Sequence, residues 1–439
     1  MSKYVVSLGK YVKPIESVRN LIESCNGLER LKSSDHVFIK PNIVFWSKAV
    51  TFPKFGVITT SRIVEDIVII LKEQGVSKIT IGEGTVVFDP KDKITQFDAF
   101  EKLGYENLRK KYGVSLLNVF EGSFEKIQIC DGISLNFSSA ILNSDFVVNL
   151  PVLKTHAQTV VSLGIKNIKG TIDINSRKRC HNSDGRTDLN FMVSMLADRI
   201  PPGLTLIDGI FTNERGPGFD GKAHRSDIIV ASSDVFSADL VGAKLLGYSG
   251  EKVPHLVHAA KKRNRPLDLS DIKILGEDVE KLAKLHEYTF PYNEDDSLPL
   301  PMVKMGINGI SYPKYDLSLC TYCSVLTGAV LTSIAMAWKG KKWDDVEVLT
   351  GKIMKPTPGK KSLLIGKCLY EAHKNHPHKD NLTFVKTCPP QPKAILEAMS
   401  QLGIDLPPDL LMNLDQVPAL FMKKYAGKQE FDNSFFKID

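Results

Sequence analysis

Short apolar runs alternate with amphipathic stretches through the first three hundred residues, and this alternation leaves few folds open to the chain. Tyr4–Leu8, His36–Lys40, Lys78–Ile81, Phe146–Leu150, Leu204–Ile207 and Asp227–Ala231 read as strands. Glu16–Ser24, Ser61–Gln74, Ala238–Leu246 and Pro254–Lys262 read as helices. Thr59 or Thr60 is the candidate N-cap of the Ser61–Gln74 helix, which gathers Ile63, Ile67, Ile70 and Leu71 on one face. Strand–helix–strand order predicts an α/β protein with doubly wound, mostly parallel sheets and a smaller C-terminal α/β cysteine domain. Ligands of such sheets gather outside the carboxyl ends of the strands. Those ends are where function is sought.

The length of 439 residues suggests more than one domain. The expected division is an α/β region over 1–280, a linker over 281–315, a cysteine domain over 316–412 and a basic, aromatic tail over 413–439. The linker is rich in Pro, Asn and Asp and has no apolar period. A formal charge of +7 without any block of Lys or Arg argues against nucleic acid and suits a small anionic ligand or an acidic redox partner. The first residues lack the apolar core of a signal peptide, and Val325–Trp338 is too short and too rich in small residues to span a membrane. A cytoplasmic protein with reduced thiols is expected, which favours metal binding or catalysis over disulfides.

Four of the seven cysteines lie beyond residue 315. Cys320 and Cys323 form a C-x-x-C pair, Cys368 follows the apolar run SLLIGK, and Cys388 follows LTFVKT. Each segment reads as a strand that releases its sulfur where the strand stops. Three strand ends could therefore bring four thiolates to one metal centre, an iron–sulfur cluster or a zinc ion. Zinc usually shows paired knuckles, so the cluster is the better fit. A 4Fe–4S cluster suits four thiolates in one chain, and a 2Fe–2S cluster shares that ligand count. Cys25, Cys130 and Cys180 read as buried cysteines without a ligand role.

A second constellation occupies the middle of the chain. The run Phe146–Leu150 leads through Pro151 into Lys154, Thr155 and His156, and then come Lys166, Asn167, Lys169 and Gly170, with Arg179, His181 and Arg186 beyond. Asp208 and Asp234 close two further strands, and Lys40 and Asn42 close another. Any one of these residues alone reads as solvated surface; together they mark a cleft. Lysine has donors and no acceptor, so Lys40, Lys154, Lys166 and Lys169, with Asn42, Asn167, His156 and Asp234, are expected to hold an anionic cofactor or substrate. His156 is the candidate acid or base, with Asp208 or Asp234 to orient it and Lys166 to stabilise an anion. Gly82-Glu83-Gly84 lacks the third glycine of a dinucleotide fingerprint, and no Walker, H-E-x-x-H or G-x-S-x-G motif is present.

The runs FIKPNIV, ITIGEG, FVVNLPVLKTHAQTVVSLGIKNIKG, LTLIDGI with ERGPG, and IIVASSDVFSADLVGAKLLG resemble, in order and spacing, the family called domain of unknown function 362. The resemblance covers about residues 36–248 and implies an association with iron–sulfur modules. This chain departs from the usual closely spaced ferredoxin-like cysteines, since Cys368 and Cys388 stand alone. The family name carries no reaction. Two functions follow as expectations. The first is an iron–sulfur oxidoreductase or electron-transfer protein, its cluster exchanging electrons with an anionic cofactor of flavin or deazaflavin type, or with a substrate, in a basic interdomain cleft. The second is a non-redox acid–base enzyme or anion-binding protein with a structural metal.

Overall fold

A computed structural model describes residues 4–87 and 92–438. In chain order the first strands are β1 (Tyr4–Lys10), β2 (His36–Pro41), β3 (Lys78–Glu83), β4 (Ser115–Asn118), β5 (Phe124–Cys130) and β6 (Ile133–Ser138). They are followed by β7 (Phe146–Leu150), β8 (Val152–His156), β9 (Val160–Ser162), β10 (Gly203–Glu214), β11 (Lys222–Ser232) and β12 (Ile272–Gly276). Ten of these make one sheet in the order β12-β1-β11-β10-β7-β2-β3-β4, with β8 joining β10 and β9 joining β8. From β10 through β7, β2 and β3 to β4 the strands are parallel. β11 runs antiparallel to both neighbours, so the sheet is mixed though mostly parallel.

Apolar packing covers both faces, as the buried runs require. On one face the Ser61–Glu73 helix buries Ile63, Val64, Ile67, Val68, Ile70 and Leu71. On the other, the Val235–Leu245 helix lies in a second core with Leu163, Ile165 and Leu256. Thr60 takes the extended N-cap conformation, but its hydroxyl makes no cap. The N-terminus is held from β10 instead, where the Asp208 carboxylate accepts from the Thr60 amide at 2.7 Å.

The second domain is a four-stranded parallel sheet of β13 (Ile310–Ser311), β14 (Val346–Thr350), β15 (Lys361–Ile365) and β16 (Leu382–Val385), in that order. The Thr321–Ala337 and Pro392–Gln401 helices share its main core. Two expectations change here. Residues 281–315 are not a free linker: Leu298, Met302, Ile307, Ile310 and Tyr312 are buried in the core of this C-terminal domain. Nor does the tail hang loose. Leu411 belongs to the core of the C-terminal domain, whereas Tyr425, Phe436 and Ile438 pack in the large sheet's core with the Ser61–Glu73 helix. The rings of Tyr425 and Phe436 stand 5.4 and 5.6 Å from that of Phe55, and Asn107 Nδ2 donates to the Ile438 carbonyl at 2.7 Å. The last residues strap the two domains together.

Candidate functional site

The carboxyl ends of β2, β3 and β7 meet in a buried polar network. Lys40 is fully buried, and its ammonium donates to Glu83 Oε2 at 2.7 Å, the Pro41 carbonyl at 2.8 Å and Asn167 Oδ1 at 3.4 Å. Asn167 also accepts from Asn42 Nδ2 and donates to Asn149 Oδ1 and the Lys40 carbonyl. Lys154 is equally buried and donates to Asn42 Oδ1 and the Val57 carbonyl, both at 2.7 Å, and to the Pro217 carbonyl at 3.4 Å. An ammonium has three donors, so both lysines are fully engaged. Gly170 is part of the same packing, since an added Cβ would lie 2.5 Å from Glu83 Oε1 and 2.6 Å from Lys40 Nζ. Gly84 leaves room in the same way for the Arg177 guanidinium, which donates to the carbonyls of Gly84 and Gly170 at 2.6 Å.

Beyond this network the cations lose their partners. Lys166 sits on the Gly164–Asn167 turn, whose first amides are held by Asp239 at 2.7 and 2.8 Å. Burial pushes the Asp239 carboxyl up to about 7. Among the described residues the Lys166 ammonium has no hydrogen bond and no ion pair. Burial, then the charges of Lys169 and Lys154, push it well below the usual lysine range. Among the described residues Lys169 hydrogen-bonds a histidine alone, with Nζ 2.7 Å from His181 Nε2, and burial lowers its ammonium to about 8. The other ring nitrogen of His181 faces the Leu317 carbonyl at 3.1 Å, so a neutral ring accepts from the lysine and donates to the second domain. Burial and the surrounding lysines keep His156 and His181 well below the ordinary histidine value. Among the described residues Lys154, Lys166, Lys169, Arg177 and Lys352 have no carboxylate partner, whereas Glu83 already serves Lys40. The region carries uncompensated positive charge in a setting that penalises it.

This cation cluster abuts the cysteine domain. Gln158 Nε2 donates to the carbonyls of Asp316 and Leu319 at 2.9 and 3.0 Å. Lys352, just past the end of β14, donates through its backbone to Ser318 Oγ and through its side chain to the carbonyls of Lys178 and His181. Cys320 stands at the N-cap position of the Thr321–Ala337 helix, without a side-chain capping hydrogen bond. A hydrogen bond from Cys323, the amides of Tyr322 and Cys323 and the charge of Lys352 hold its thiol below the usual range despite burial. Cys323 is raised in turn, chiefly by that same hydrogen bond.

Cys368 lies in the first turn of the helix after β15, and Cys388 lies three residues past β16. A Cβ at Gly366 would stand 3.4 Å from Cys323 Sγ, which puts that sulfur against the helix carrying Cys368. The four thiols are in electrostatic range of one another. Cys320 is buried toward the first domain, while Cys368 and Cys388 are exposed. Among the described residues no group of three or more His, Cys, Asp or Glu side chains is set to hold a metal ion. The cysteines thus share one edge of the sheet without their sulfurs forming a ligand shell in this conformation.

Several expected roles move. Asp208 does not reach His156: its oxygens accept from the amides of Thr60 and Ile210, and burial raises its carboxyl. Asp234 caps its own helix through Ser237 and pairs with Arg265 at 2.5 Å. His156 is oriented by the Gln158 amide, which donates to Nδ1 at 3.1 Å. Lys40, Asn42, Lys154 and Asn167 belong to the internal network, Lys169 and His181 contact each other, and Lys166 has no hydrogen-bond partner among the described residues. Asp316–Leu319 is a turn rather than a strand, because the Ser318 amide bonds back to Asp316 Oδ1. Arg179 and Arg186 point elsewhere, to the Ser134 carbonyl and to Asp184. Arg177 and Lys352 were not singled out from sequence. The run VEVLT followed by Gly-Lys is the strand-end signal that could have found Lys352.

The class so defined is an α/β protein whose larger sheet presents a cluster of cations to a cysteine-bearing parallel sheet. Residues 37–244 match the model of a family described as domain of unknown function (DUF362). A curated relative, a thylakoid-associated protein of Synechocystis sp., is 27% identical over 253 residues, which is 57% of this chain and 74% of the relative. No helix among the described residues is long and apolar enough to cross a membrane.

Proposed function

We propose that this chain is an iron–sulfur electron-transfer protein or oxidoreductase, with a cluster on Cys320, Cys323, Cys368 and Cys388 exchanging electrons with an anionic ligand at the domain junction. One observation carries the reading: cations without carboxylate partners, Lys169 and Lys352 among them, lie in electrostatic range of Cys320, at the edge that carries the four cysteines. An anion would offset the charge there, and thiolates favour a soft metal. The buried side at Cys320 faces the cation cluster, and the exposed side at Cys368 and Cys388 is open to a redox protein partner. At Cys320 the domains leave a cavity of about 20 Å³, about the room for one water. A flavin- or deazaflavin-type cofactor at that point would require the domains to part. The acid–base alternative has less support, since His156 has neither expected carboxylate beside it.

The test is anaerobic purification of the full chain with iron, zinc and acid-labile sulfide assays and a visible spectrum before and after dithionite. Iron with matching sulfide, and colour that bleaches on reduction, are expected; Cys320→Ser and Cys388→Ser should each lower the iron. Zinc in place of iron, or a colourless protein without metal, overturns the proposal.

A further inference from the structure

A cavity of about 980 Å³ lies away from the domain junction. It lies on the other side of β8, where Leu153 lines it while the neighbouring Lys154 turns into the polar network, as strand alternation requires. Three segments wall it: the β10–β11 hairpin with Arg215 and His224, the stretch with Lys284 and His286, and the terminal strap with Lys424 and Lys428. Two of these walls are the segments that sequence alone reads as linker and tail.

Eight Lys and Arg residues line the cavity against two carboxylates, Asp220 and Glu430. Some are engaged already. Lys222 pairs with Glu214 at 3.7 Å, Arg225 pairs with Asp227, and Lys424 donates to the carbonyls of Asp220 and Gly221. Others are not. Among the described residues Arg215 Nε is buried without a hydrogen-bond partner, and its guanidinium lies 5.8 Å from the centre of the Phe290 ring. Lys284 and Lys428 have no ion pair among the described residues. His286 is fixed in orientation by the Lys284 carbonyl at 2.7 Å and Thr212 Oγ1 at 2.8 Å, which makes it part of the wall.

We propose that this cleft binds a ligand of nucleotide size carrying at least two linked phosphoryl groups. The volume is that of a small-molecule site rather than of a single-ion site. A buried guanidinium edge suits phosphoryl oxygens, and separated lysines suit a ligand with more than one anionic group. The cleft shares none of its lining with the cysteine edge, so the inference does not depend on the proposed cluster.

The experiment is calorimetric titration of the full chain with inorganic pyrophosphate and with ADP, in the Lys166→Met background so that the junction does not contribute. Both probes should bind at physiological ionic strength. The exposed double change Lys284→Ala/Lys428→Ala should weaken both by at least about tenfold, because each lost charged hydrogen bond is worth about that much; an unchanged thermal midpoint would show that the variant is folded. If only ADP binds, the ligand is recognised through its nucleoside and the proposal of a phosphoryl site is overturned. Absence of binding by either probe, or affinity unmoved by the double change, overturns it as well. Capture of an acidic protein by the same face without affinity for either probe would make it a docking surface instead.

Discussion

Two groups of buried lysines meet opposite fates in this fold. Lys40, buried at the end of β2, has a carboxylate at 2.7 Å and two further acceptors. Lys166, on the turn beyond β9, has neither among the described residues, and the charges of Lys169 and Lys154 act against its protonation. A buried cation with a full set of partners holds structure together. One without partners costs folding free energy unless a ligand supplies the charge. The contrast separates the part of this polar region that builds the fold from the part that awaits an anion.

The largest effect should come from cutting the satisfied pair. Lys40→Met leaves Glu83 buried without its cation and should cost about 3–5 kcal/mol of stability, measured by urea unfolding. Lys166→Met should leave stability equal or higher in phosphate-free buffer. A loss at Lys166 as large as at Lys40 would erase the distinction. Phosphate should then stabilise the wild type by up to about 2.7 kcal/mol at a hundred times its dissociation constant, and the Lys166→Met variant by less. Equal stabilisation of the two would place the anion elsewhere.

Gly170→Ala should cost about 1–3 kcal/mol through crowding of Lys40 and Glu83, with little change in phosphate affinity, because the packing and the ligand site are separate. The pH dependence supplies a further check. Burial lowers Lys154 to about 7 and Lys169 to about 8, below their unfolded values. Between these values and the unfolded lysine pKa near 10 the unfolded chain holds more protons. The contribution of these two groups to stability should therefore rise from pH 7 toward 10 in the anion-free protein. Phosphate should flatten that rise, since it favours the protonated lysines; chemical denaturation at several pH values reads both slopes.

Much of the fold is legible in the chain because the strands beside the site are unbroken apolar runs. Glu16–Ser24 and Phe146–Leu150 have the predicted bounds. The strap was not legible: Tyr425 and Phe436 find their partners at Phe55 and Phe211, more than two hundred residues away. The 281–315 segment buries Leu298, Ile307 and Tyr312 at irregular spacing, so no periodicity marks it. Sequence located the polar strand ends but could not sort them. Asp208, Asn167 and Lys154 look like ligand-binding residues until their partners, amides and amide oxygens from distant strands, are seen. Arg177 was hidden in the basic run SRKRC, where nothing distinguishes the one arginine that reaches back to Gly84 and Gly170.

The most direct measurement is the electron paramagnetic resonance spectrum of the anaerobically reduced protein, with and without phosphate, in the wild type and in Lys166→Met. A cluster on the four cysteines beside an anion-binding junction predicts a reduced iron–sulfur signal that phosphate alters in the wild type and leaves unchanged in the variant. An iron-free protein, or an iron–sulfur signal indifferent to phosphate although phosphate binds through Lys166, would contradict the claim that the cysteine edge and the cation cluster form one site.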